Sequence, residues 1–198
     1  MNTLEITAII KQSISVKQNI LNDPQLLDTI AQAGWALVHT FKAKGRVYLC
    51  GNGGSAADAQ HIAAELSGRF YHDRPPLPAE ALHVNTSFLT AVANDYGYDQ
   101  VFARMVQGFG TKSDVLIGIS TSGKSPNVLL ALKQAQDMGM TTIGLCGNNT
   151  QPMAQYCHHL IAVPSAVTPR IQESHILIGH ILCEMVEREL FSLIADAG

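Results

Sequence analysis

The sequence predicts an α/β fold in which a doubly wound parallel sheet is flanked by helices. Short apolar runs alternate with segments of helical spacing over residues 46–191, and two of these runs end in glycine-rich or hydroxyl-rich turns. Alternation of this kind is typical of parallel sheets. No internal repeat or linker divides the 198 residues. One domain over 1–198 is therefore expected, with a helical hairpin over 1–44 and an α/β core over 45–198.

The predicted elements follow in order along the chain. Apolar residues at helical spacing predict a first helix over 4–21, and Asp23 as N-cap before Pro24 predicts a second that ends before Gly45. Apolar runs predict strands over 46–50, 79–84, 114–119, 141–146 and 159–163. The intervening and final helices are predicted over 55–67, 86–94, 99–109, 126–138, 151–157 and 169–191. The hairpin lies outside the alternation, so it is expected to cap the sheet or pack on a neighbouring subunit.

Composition narrows the class of partner and the compartment. The formal net charge is −3 and no long Lys/Arg run exists, which argues against nucleic acid or anionic membrane as a partner. No apolar stretch approaches the ~20 residues of a membrane span, and the N-terminus lacks signal-peptide features. With 46% hydrophobic and 15% charged residues, part of the surface is expected to be buried against copies of the chain. Buried reduced thiols and a cytoplasmic location are predicted, since the cysteines are scattered at Cys50, Cys146, Cys157 and Cys183.

The turn from the first predicted strand into the third helix, Gly-Asn-Gly-Gly-Ser at 51–55, is the most informative segment. Glycines there allow backbone N–H groups at a helix start to converge on an anion, most often a phosphate. The pattern matches neither the dinucleotide fingerprint nor the P-loop. His61 and Glu65 follow on one face of the same helix. A glycine turn or a surface His/Glu pair alone is ordinary, but their combination favours a site for a phosphorylated small molecule.

A second loop, after the third predicted strand, carries hydroxyls on Ser120, Thr121, Ser122 and Ser125. Hydroxyls and free amides before a helix with Pro126 in its first turn can bind phosphate oxygens without a cationic side chain. One hydroxyl is enough for an N-cap, so four favour phosphate binding. Both loops follow strands, where α/β sheets bind their ligands.

These two loops resemble the signature loops of the sugar isomerase (SIS) domain family. The Ala-Asn-Asp-Tyr-Gly segment at 93–97 and Arg-Ile-Gln-Glu-Ser-His at 170–175, followed by His180, extend the similarity over nearly the whole chain to its phosphoheptose isomerase branch. The resemblance implies a flavodoxin-like sheet, a homotetramer and an aldose–ketose isomerase. The implied reaction interconverts sedoheptulose 7-phosphate and D-glycero-D-manno-heptose 7-phosphate, in precursor synthesis for bacterial lipopolysaccharide.

The resemblance also implies roles for individual residues. Glu65 is the expected base that moves a proton between C1 and C2 through a cis-enediol, and His180 is its expected partner at an oxygen or the ring. Without the resemblance, His180 would be interpreted as a core histidine, and His175 is interpreted so here. The expected substrate-binding residues are Asn52, Gly53, Gly54, Ser55, Glu65, Asn94, Asp95, Ser120, Thr121, Ser122, Ser125 and Gln172.

By the same resemblance, His61, Glu65, Gln172 and His180 match positions that bind one zinc ion per subunit in metal-containing members. Nitrogen and carboxylate ligands suit zinc, and an amide oxygen is an unusual fourth. A zinc-bound histidine or carboxylate is a poorer proton-transfer group, so the metal is expected to polarise substrate oxygens while Glu65 moves the proton. Gln172 and His180 would lie ~12 Å apart along one helix. A second chain is therefore expected to supply one ligand, with each active site at a subunit interface.

Two other functions stay open at this point. A non-enzymatic member of the family binds the bacterial replication initiator, although such a protein has no need of the ligand set that this chain retains. An isomerase or lyase for a pentose or amino-sugar phosphate would carry the same phosphate loops. The chain also departs from some phosphoheptose isomerases at Thr168-Pro169, where they carry an Asp before the Arg-Ile-Gln motif. Any role of that Asp is in doubt here.

Overall fold

A five-stranded parallel sheet lies at the centre of the fold, which the computed structural model describes over residues 2–195. The spatial order of the strands is β2-β1-β3-β4-β5, which is the flavodoxin-like order. The strands are β1 (Val47–Gly51), β2 (Ala79–Ala81), β3 (Val115–Ile119), β4 (Thr141–Cys146) and β5 (His159–Ala162). The predicted doubly wound α/β fold is confirmed.

Seven α-helices are described. They are α1 (Thr3–Leu21), α2 (Pro24–Lys42), α3 (Gly54–Ser67), α4 (Thr86–Tyr96), α5 (Val101–Phe109), α6 (Pro126–Asp137) and α7 (Thr168–Ala195). Two short 3-10 turns stand at Tyr98–Gln100 and Met153–Tyr156. The predicted N-cap of α2 is confirmed, because the Asp23 carboxylate accepts the N–H groups of Gln25 and Leu26 at 3.1 and 3.0 Å.

Alternate residues of the strands face two separate cores. Val47 and Leu49 pack with residues of α2, α3 and α7 on one face of the sheet. Tyr48 and Cys50 pack with residues of α4, α5 and α6 on the other face. Because both faces are covered, every residue of β1 is buried, as expected for a parallel strand. The layer that contains α3 and α7 carries the candidate site.

Three predicted elements are wrong in extent or type, and the final helix ends at Ala195, beyond its predicted end at residue 191. The second strand ends at Ala81 rather than at residue 84, because the chain turns there and the Val84 N–H donates to the Ala81 carbonyl. The helix predicted over 151–157 is only a 3-10 turn, in which the Cys157 N–H bonds back to the Ala154 carbonyl. The helix predicted over 99–109 is divided, since a 3-10 turn precedes α5.

The N-terminal hairpin is only partly packed on the rest of the chain. α2 contacts α7 and β5 and so covers the sheet. α1 is tied to the start of α7, where Ser13 donates to the Glu173 carboxylate at 2.6 Å and Arg170 donates to the Ile9 carbonyl at 2.8 Å. Its other face exposes the large apolar side chains of Leu4, Ile6, Ile10, Ile14 and Leu21. Over residues 2–195, no helix has both the length and the apolar character needed to cross a bilayer.

Candidate active site

The glycine loop and the serine loop lie side by side at the carboxyl edge of the sheet. β1 and β3 are neighbours, with Gly51 paired to Ile119 at the last position of each strand. The strand order reverses between β1 and β3, so a crevice opens above their ends. Residues 51–55 and 120–125 form its two sides.

A pair of amides joins the two loops. The Asn52 amide donates to the Asn127 carbonyl oxygen at 2.8 Å, and the Asn127 amide donates back to the Asn52 oxygen at 2.9 Å. Asn127, in the first turn of α6, is buried and also accepts the Val128 N–H. The Tyr98 hydroxyl donates to the Asn52 oxygen at 3.4 Å. Asn52, an expected substrate ligand, therefore holds the two loops together, and Asn127 was not predicted because its partner is 75 residues away.

The hydroxyls of the serine loop converge on one another. The Ser120 Oγ lies 2.9 Å from the Ser125 Oγ and 3.4 Å from the Ser122 Oγ. Gly123, at φ +65°, makes the turn between them, and the Lys124 N–H donates to Ser122. Ser125 is the N-cap residue of α6, but its side chain makes no capping hydrogen bond. Helix capping thus does not account for this hydroxyl cluster, which presents several donors and acceptors to one small volume.

A pocket adjoins the serine loop on the side of α7. Thr121, Ser122, Lys124, Asn148 and Thr168 are among the residues that line it. Thr121, an expected substrate ligand, thus lies on the pocket wall. Thr168, the first residue of α7, lies on the same wall. Lys124 adds a positive charge that the prediction had not used.

The start of α3 lies against Gln172 of α7. A Cβ atom at Gly54 would stand 2.2 Å from the Gln172 Nε2, so only glycine leaves room for this amide. Gly53 has φ +54° and borders open space. Ser55 is buried under the turn, and its N–H donates to the Asn52 carbonyl. Of the expected ligands in this segment, Gly53 and Gly54 therefore face the crevice most directly.

Two histidines and a carboxylate meet further along α3. The His61 Nε2 lies 3.0 Å from the Glu65 Oε1 and 3.4 Å from the His180 Nε2, and the ligand atoms of all three lie within 4.8 Å of one another. Two imidazole nitrogens and a carboxylate oxygen are a donor set that suits zinc. Ligand atoms of a tetrahedral zinc site lie roughly 3.3 Å apart, so these residues fit such an ion.

A second glycine lets α7 approach α3 beside this cluster. A Cβ atom at Gly179 would stand 2.5 Å from the Ile62 Cδ1. Gly179 was not singled out from the sequence, because a helical glycine shows its use only when its neighbour is known. Gln172 lies two helical turns from His180 and is placed beside Gly54. The chain thus brings three of the four expected metal ligands together and leaves Gln172 at the other end of α3.

Asn94 and Asp95 lie at the exposed C-terminal end of α4. The Asn94 amide donates to the Asp95 carboxylate at 2.9 Å. Gly97 ends the helix with φ +87°. The following residue, Tyr98, reaches Asn52, so this segment adjoins the crevice through Tyr98. In residues 2–195, no hydrogen bond is described from Asn94 or Asp95 to either loop.

Buried neighbours of the site have shifted pKa values. His175 is fully buried with its Nε2 at 3.2 Å from the Cys146 carbonyl oxygen, which confirms it as a core histidine. Burial lowers the pKa of His175 to about 4, and the hydrogen bond to Cys146 opposes this only partly. Burial raises the pKa of Cys146 to about 11 and that of Cys183 to about 12. All four thiols are free; Cys50, Cys146 and Cys183 are buried as predicted, whereas Cys157 is half-buried.

Comparison with known proteins gives a consistent assignment. The sequence model of the SIS domain matches residues 12–147. A phosphoheptose isomerase of Clostridium acetobutylicum is 52% identical over 186 residues, which are 94% of this chain and 95% of that one. The structure of a phosphoheptose isomerase from Neisseria gonorrhoeae has a TM-score of 0.86 at 41% identity and covers 92% of this chain and 97% of its own. That from Francisella tularensis has a TM-score of 0.89 at 38% identity and covers 95% and 100%. The chain therefore belongs to the SIS domain family and, within it, to the phosphoheptose isomerases.

Proposed function

We propose that the chain interconverts sedoheptulose 7-phosphate and D-glycero-D-manno-heptose 7-phosphate in the cytoplasm, as a step in precursor synthesis for lipopolysaccharide. The observation that carries this proposal is the coexistence of a hydroxyl cluster suited to phosphate with a His/Glu/His cluster suited to proton transfer. Both belong to a chain whose relatives are phosphoheptose isomerases.

In this proposal the two loops hold the substrate. Hydroxyls of Ser120, Ser122 and Ser125, with N–H groups at the start of α6, bind the phosphate oxygens. Gln172 and the N–H groups of Gly53 and Gly54 contact the sugar hydroxyls at the start of α3. These contacts fix the position of C1 and C2, which is what a proton transfer between adjacent carbons requires.

Glu65 moves the proton on carbon. His61 engages its Oε1, which leaves Oε2 as the basic atom in this proposal. From the ketose, Glu65 takes a proton from C1 and the C2 oxygen gains a proton, which forms the cis-enediol. The C1 oxygen then loses its proton as the aldehyde forms, and Glu65 returns its proton to C2. His180, next to His61, transfers the protons to and from the substrate oxygens when no metal occupies its ring nitrogen.

Zinc held by His61, Glu65 and His180, with Gln172 of a second copy of the chain as fourth ligand, would polarise the substrate oxygens and stabilise negative charge on them. The donor set and the spacing of the three ligand atoms support this choice of metal. Other divalent ions prefer similar ligands, and elemental analysis of the purified protein would show which of them is bound.

We also propose a homotetramer in which the two loops of one chain meet the His/Glu/His cluster of another. Glu65 lies about 16 Å from Gly54 along α3, which is longer than a seven-carbon sugar phosphate extends. The uncovered apolar face of α1 supports self-association. Changing Ile10 and Ile14 to Asp is expected to yield monomers in light scattering, whereas Gln12→Asp on the opposite side of α1 leaves the assembly intact. A monomeric wild type would contradict this proposal.

Mixed assemblies test the shared site. Glu65 and His180 belong to one cluster within one chain, so the variants to mix are one in the cluster and one in the loop. Inactive Glu65→Gln and Ser120→Ala proteins, unfolded and refolded together, would regain up to about a quarter of the sites by random assembly. Mixing Glu65→Gln with His180→Ala is the matched control and restores nothing. Failure of the first mixture would place loops and cluster of one site in the same chain.

The first experiment is turnover of sedoheptulose 7-phosphate by wild type and Glu65→Gln, after chelation and after zinc is returned. Loss in the variant, and in the chelated wild type with recovery on zinc, would support substrate, base and metal together. Absence of turnover with zinc present would redirect the search to pentose and amino-sugar phosphates. Binding to the replication initiator without any turnover would favour the non-enzymatic alternative.

A further inference from the structure

A buried ion pair lies behind the His/Glu/His cluster. Arg74 and Glu187 are both buried, and the Arg74 Nε donates to the Glu187 Oε2 at 2.9 Å. The same carboxylate accepts the backbone N–H groups of Phe70, Tyr71 and His72 at 3.2, 2.7 and 3.0 Å. Burial alone would raise the pKa of Glu187, but these donors together lower it. Four donors, three from the backbone and one from Arg74, therefore favour the ionised form of the Glu187 carboxylate.

The guanidinium of Arg74 also closes the C-terminal end of α3. Its Nη2 donates to the Glu65 carbonyl at 2.8 Å, and its Nη1 donates to the Leu66 carbonyl at 2.8 Å and the Gly68 carbonyl at 3.3 Å. Carbonyls in the last turn of a helix have no partner within the helix. Arg74 supplies those partners, and one of them is the backbone of Glu65 itself.

Glu187 reaches the other side of the cluster through Phe70. The Phe70 ring packs on the His180 ring with centroids 5.7 Å apart, and the backbone of Phe70 is held by Glu187. His180 and Glu187 lie seven residues apart on α7, so they share one face of that helix. One ion pair thus links the end of α3, the segment after it and α7.

We propose that Arg74 and Glu187 are a positioning pair that sets the separation of Glu65 and His180, and with it the metal affinity and proton-transfer geometry of the site. Over residues 2–195, neither side chain is hydrogen-bonded to a side chain of the cluster; Arg74 acts through the Glu65 backbone carbonyl, and Glu187 acts through Phe70 and α7. A buried pair costs free energy to desolvate and is weak evidence for stability alone. Its placement against two residues of the cluster gives it a use in the site. This inference rests on the proposed function for the metal and the reaction.

The test measures Co²⁺ binding without substrate, followed by turnover of sedoheptulose 7-phosphate. Glu187→Gln is expected to weaken Co²⁺ binding at least tenfold, alter the visible Co²⁺ spectrum and lower kcat more than it raises KM. Glu187→Asp restores part of each. Arg74→Lys keeps the charge beside Glu187 but loses the hydrogen bonds to the α3 carbonyls, so the same changes are expected in this variant. It serves as the test protein in case Glu187→Gln does not fold.

Asp114→Asn is the matched control for general loss of stability. Asp114 is also a buried carboxylate that accepts backbone N–H groups, from Arg46 and Thr111 at 2.8 Å each, but it lies at the amino edge of the sheet. The Asp114→Asn substitution should lower the stability of the protein and leave its Co²⁺ spectrum unchanged. A folded Glu187→Gln protein with wild-type Co²⁺ affinity, spectrum and kcat would overturn the proposal.

The two readouts separate this inference from the proposed function. If the wild type binds Co²⁺ but does not turn over the heptose phosphate, the proposed substrate is wrong. The role of the ion pair is then still tested by the Co²⁺ affinity of the variants. If the wild type turns over the substrate but does not bind Co²⁺, the proposed metal site is wrong. The role of the ion pair is then still tested by the kcat of the variants. If the wild type does neither, both proposals are wrong.

Discussion

The Gln172 amide occupies the space that a Cβ atom at Gly54 would need, 2.2 Å from its Nε2. Seven and eight residues further along the two helices, Gly179 of α7 approaches the Ile62 side chain in the same way, at 2.5 Å. α3 and α7 therefore run parallel with a nearly constant offset and touch through one glycine on each helix. This packing fixes Gln172 at the start of α3 and His180 beside His61.

Replacing Gly54 with Ala is expected to lower kcat/KM at least tenfold, ~1.4 kcal/mol of transition-state stabilisation. The added methyl group displaces the Gln172 amide, which is the far end of a flexible side chain, so stability changes little. Steady-state kinetics with sedoheptulose 7-phosphate measures the effect. Gly108→Ala in α5 is the control, because no atom lies within 4 Å of its Cβ position. It should keep full activity and gain up to about 1 kcal/mol of stability. Wild-type kinetics in Gly54→Ala would contradict a substrate contact by Gln172.

The reciprocal amide pair predicts strong coupling between Asn52 and Asn127. Asn127→Ala leaves the Asn52 amide without its partner, which costs about 1–3 kcal/mol when the group is partly buried. A double-mutant cycle on Asn52→Ala and Asn127→Ala, measured by urea unfolding, is expected to give a coupling free energy of about 0.5–3 kcal/mol. KM should rise in both single variants, because the loops lose their fixed spacing. If the two single substitutions change the free energy of unfolding by amounts that sum to the change in the double variant, the pair does not hold the loops together.

Local patterns were sufficient to predict the parallel sheet and its two loops. The run Val47 to Cys50 is apolar because both faces of β1 are covered, and a strand buried on both faces is readable from sequence. The segment over 151–157 misled the prediction because a single 3-10 turn has too few residues to establish a period. Likewise β2 is only three residues long, so its end depends on a turn rather than on the apolar run that continues past it.

The contacts that organise the site were beyond the reach of the sequence. Arg74 and Glu187 are 113 residues apart, and each alone resembles an ordinary surface charge. The His/Glu/His cluster was predicted through family resemblance, since His180 lies among apolar residues that would otherwise mark it as part of the core. Only the packing of α7 on α3 explains why this histidine is half exposed beside His61 while His175, on the same helix, is fully buried.

Ser125→Ala is expected to raise KM at least tenfold while leaving the stability of the protein nearly unchanged. Its hydroxyl makes no capping hydrogen bond to α6 and contacts the Ser120 hydroxyl at 2.9 Å, so its removal should weaken phosphate binding much more than it weakens the fold. Inorganic phosphate, used as a competitive inhibitor, should lose affinity in parallel. Asp23→Ala is the contrasting variant, because this carboxylate does cap α2. It should lose about 0.5–2 kcal/mol of stability and keep the wild-type KM. The reverse pattern would indicate that Ser125 serves the fold.

His175 is expected to make the protein less stable as the pH falls from about 6.5 toward 4. Burial lowers the native-state pKa of His175 to about 4, whereas the unfolded chain has the ordinary value near 6.5. Between these values the unfolded state binds more protons, so the stabilisation is complete above the unfolded pKa and is lost progressively below it, by on the order of 3 kcal/mol. Urea unfolding at pH 7, 6 and 5 measures this slope in wild type and in His175→Gln.

The comparison of slopes isolates His175 from other groups that titrate in the same range. Burial also lowers the pKa values of His83 and His159, and both contribute to the slope of either protein. The variant should therefore retain a shallow dependence on pH, whatever its absolute stability at pH 7. Equal slopes in the two proteins would mean that the core around His175 opens to admit water and a proton without global unfolding. In that case, amide hydrogens at the end of β4, where the Cys146 carbonyl lies against the His175 ring nitrogen, would lose their protection from exchange at acid pH.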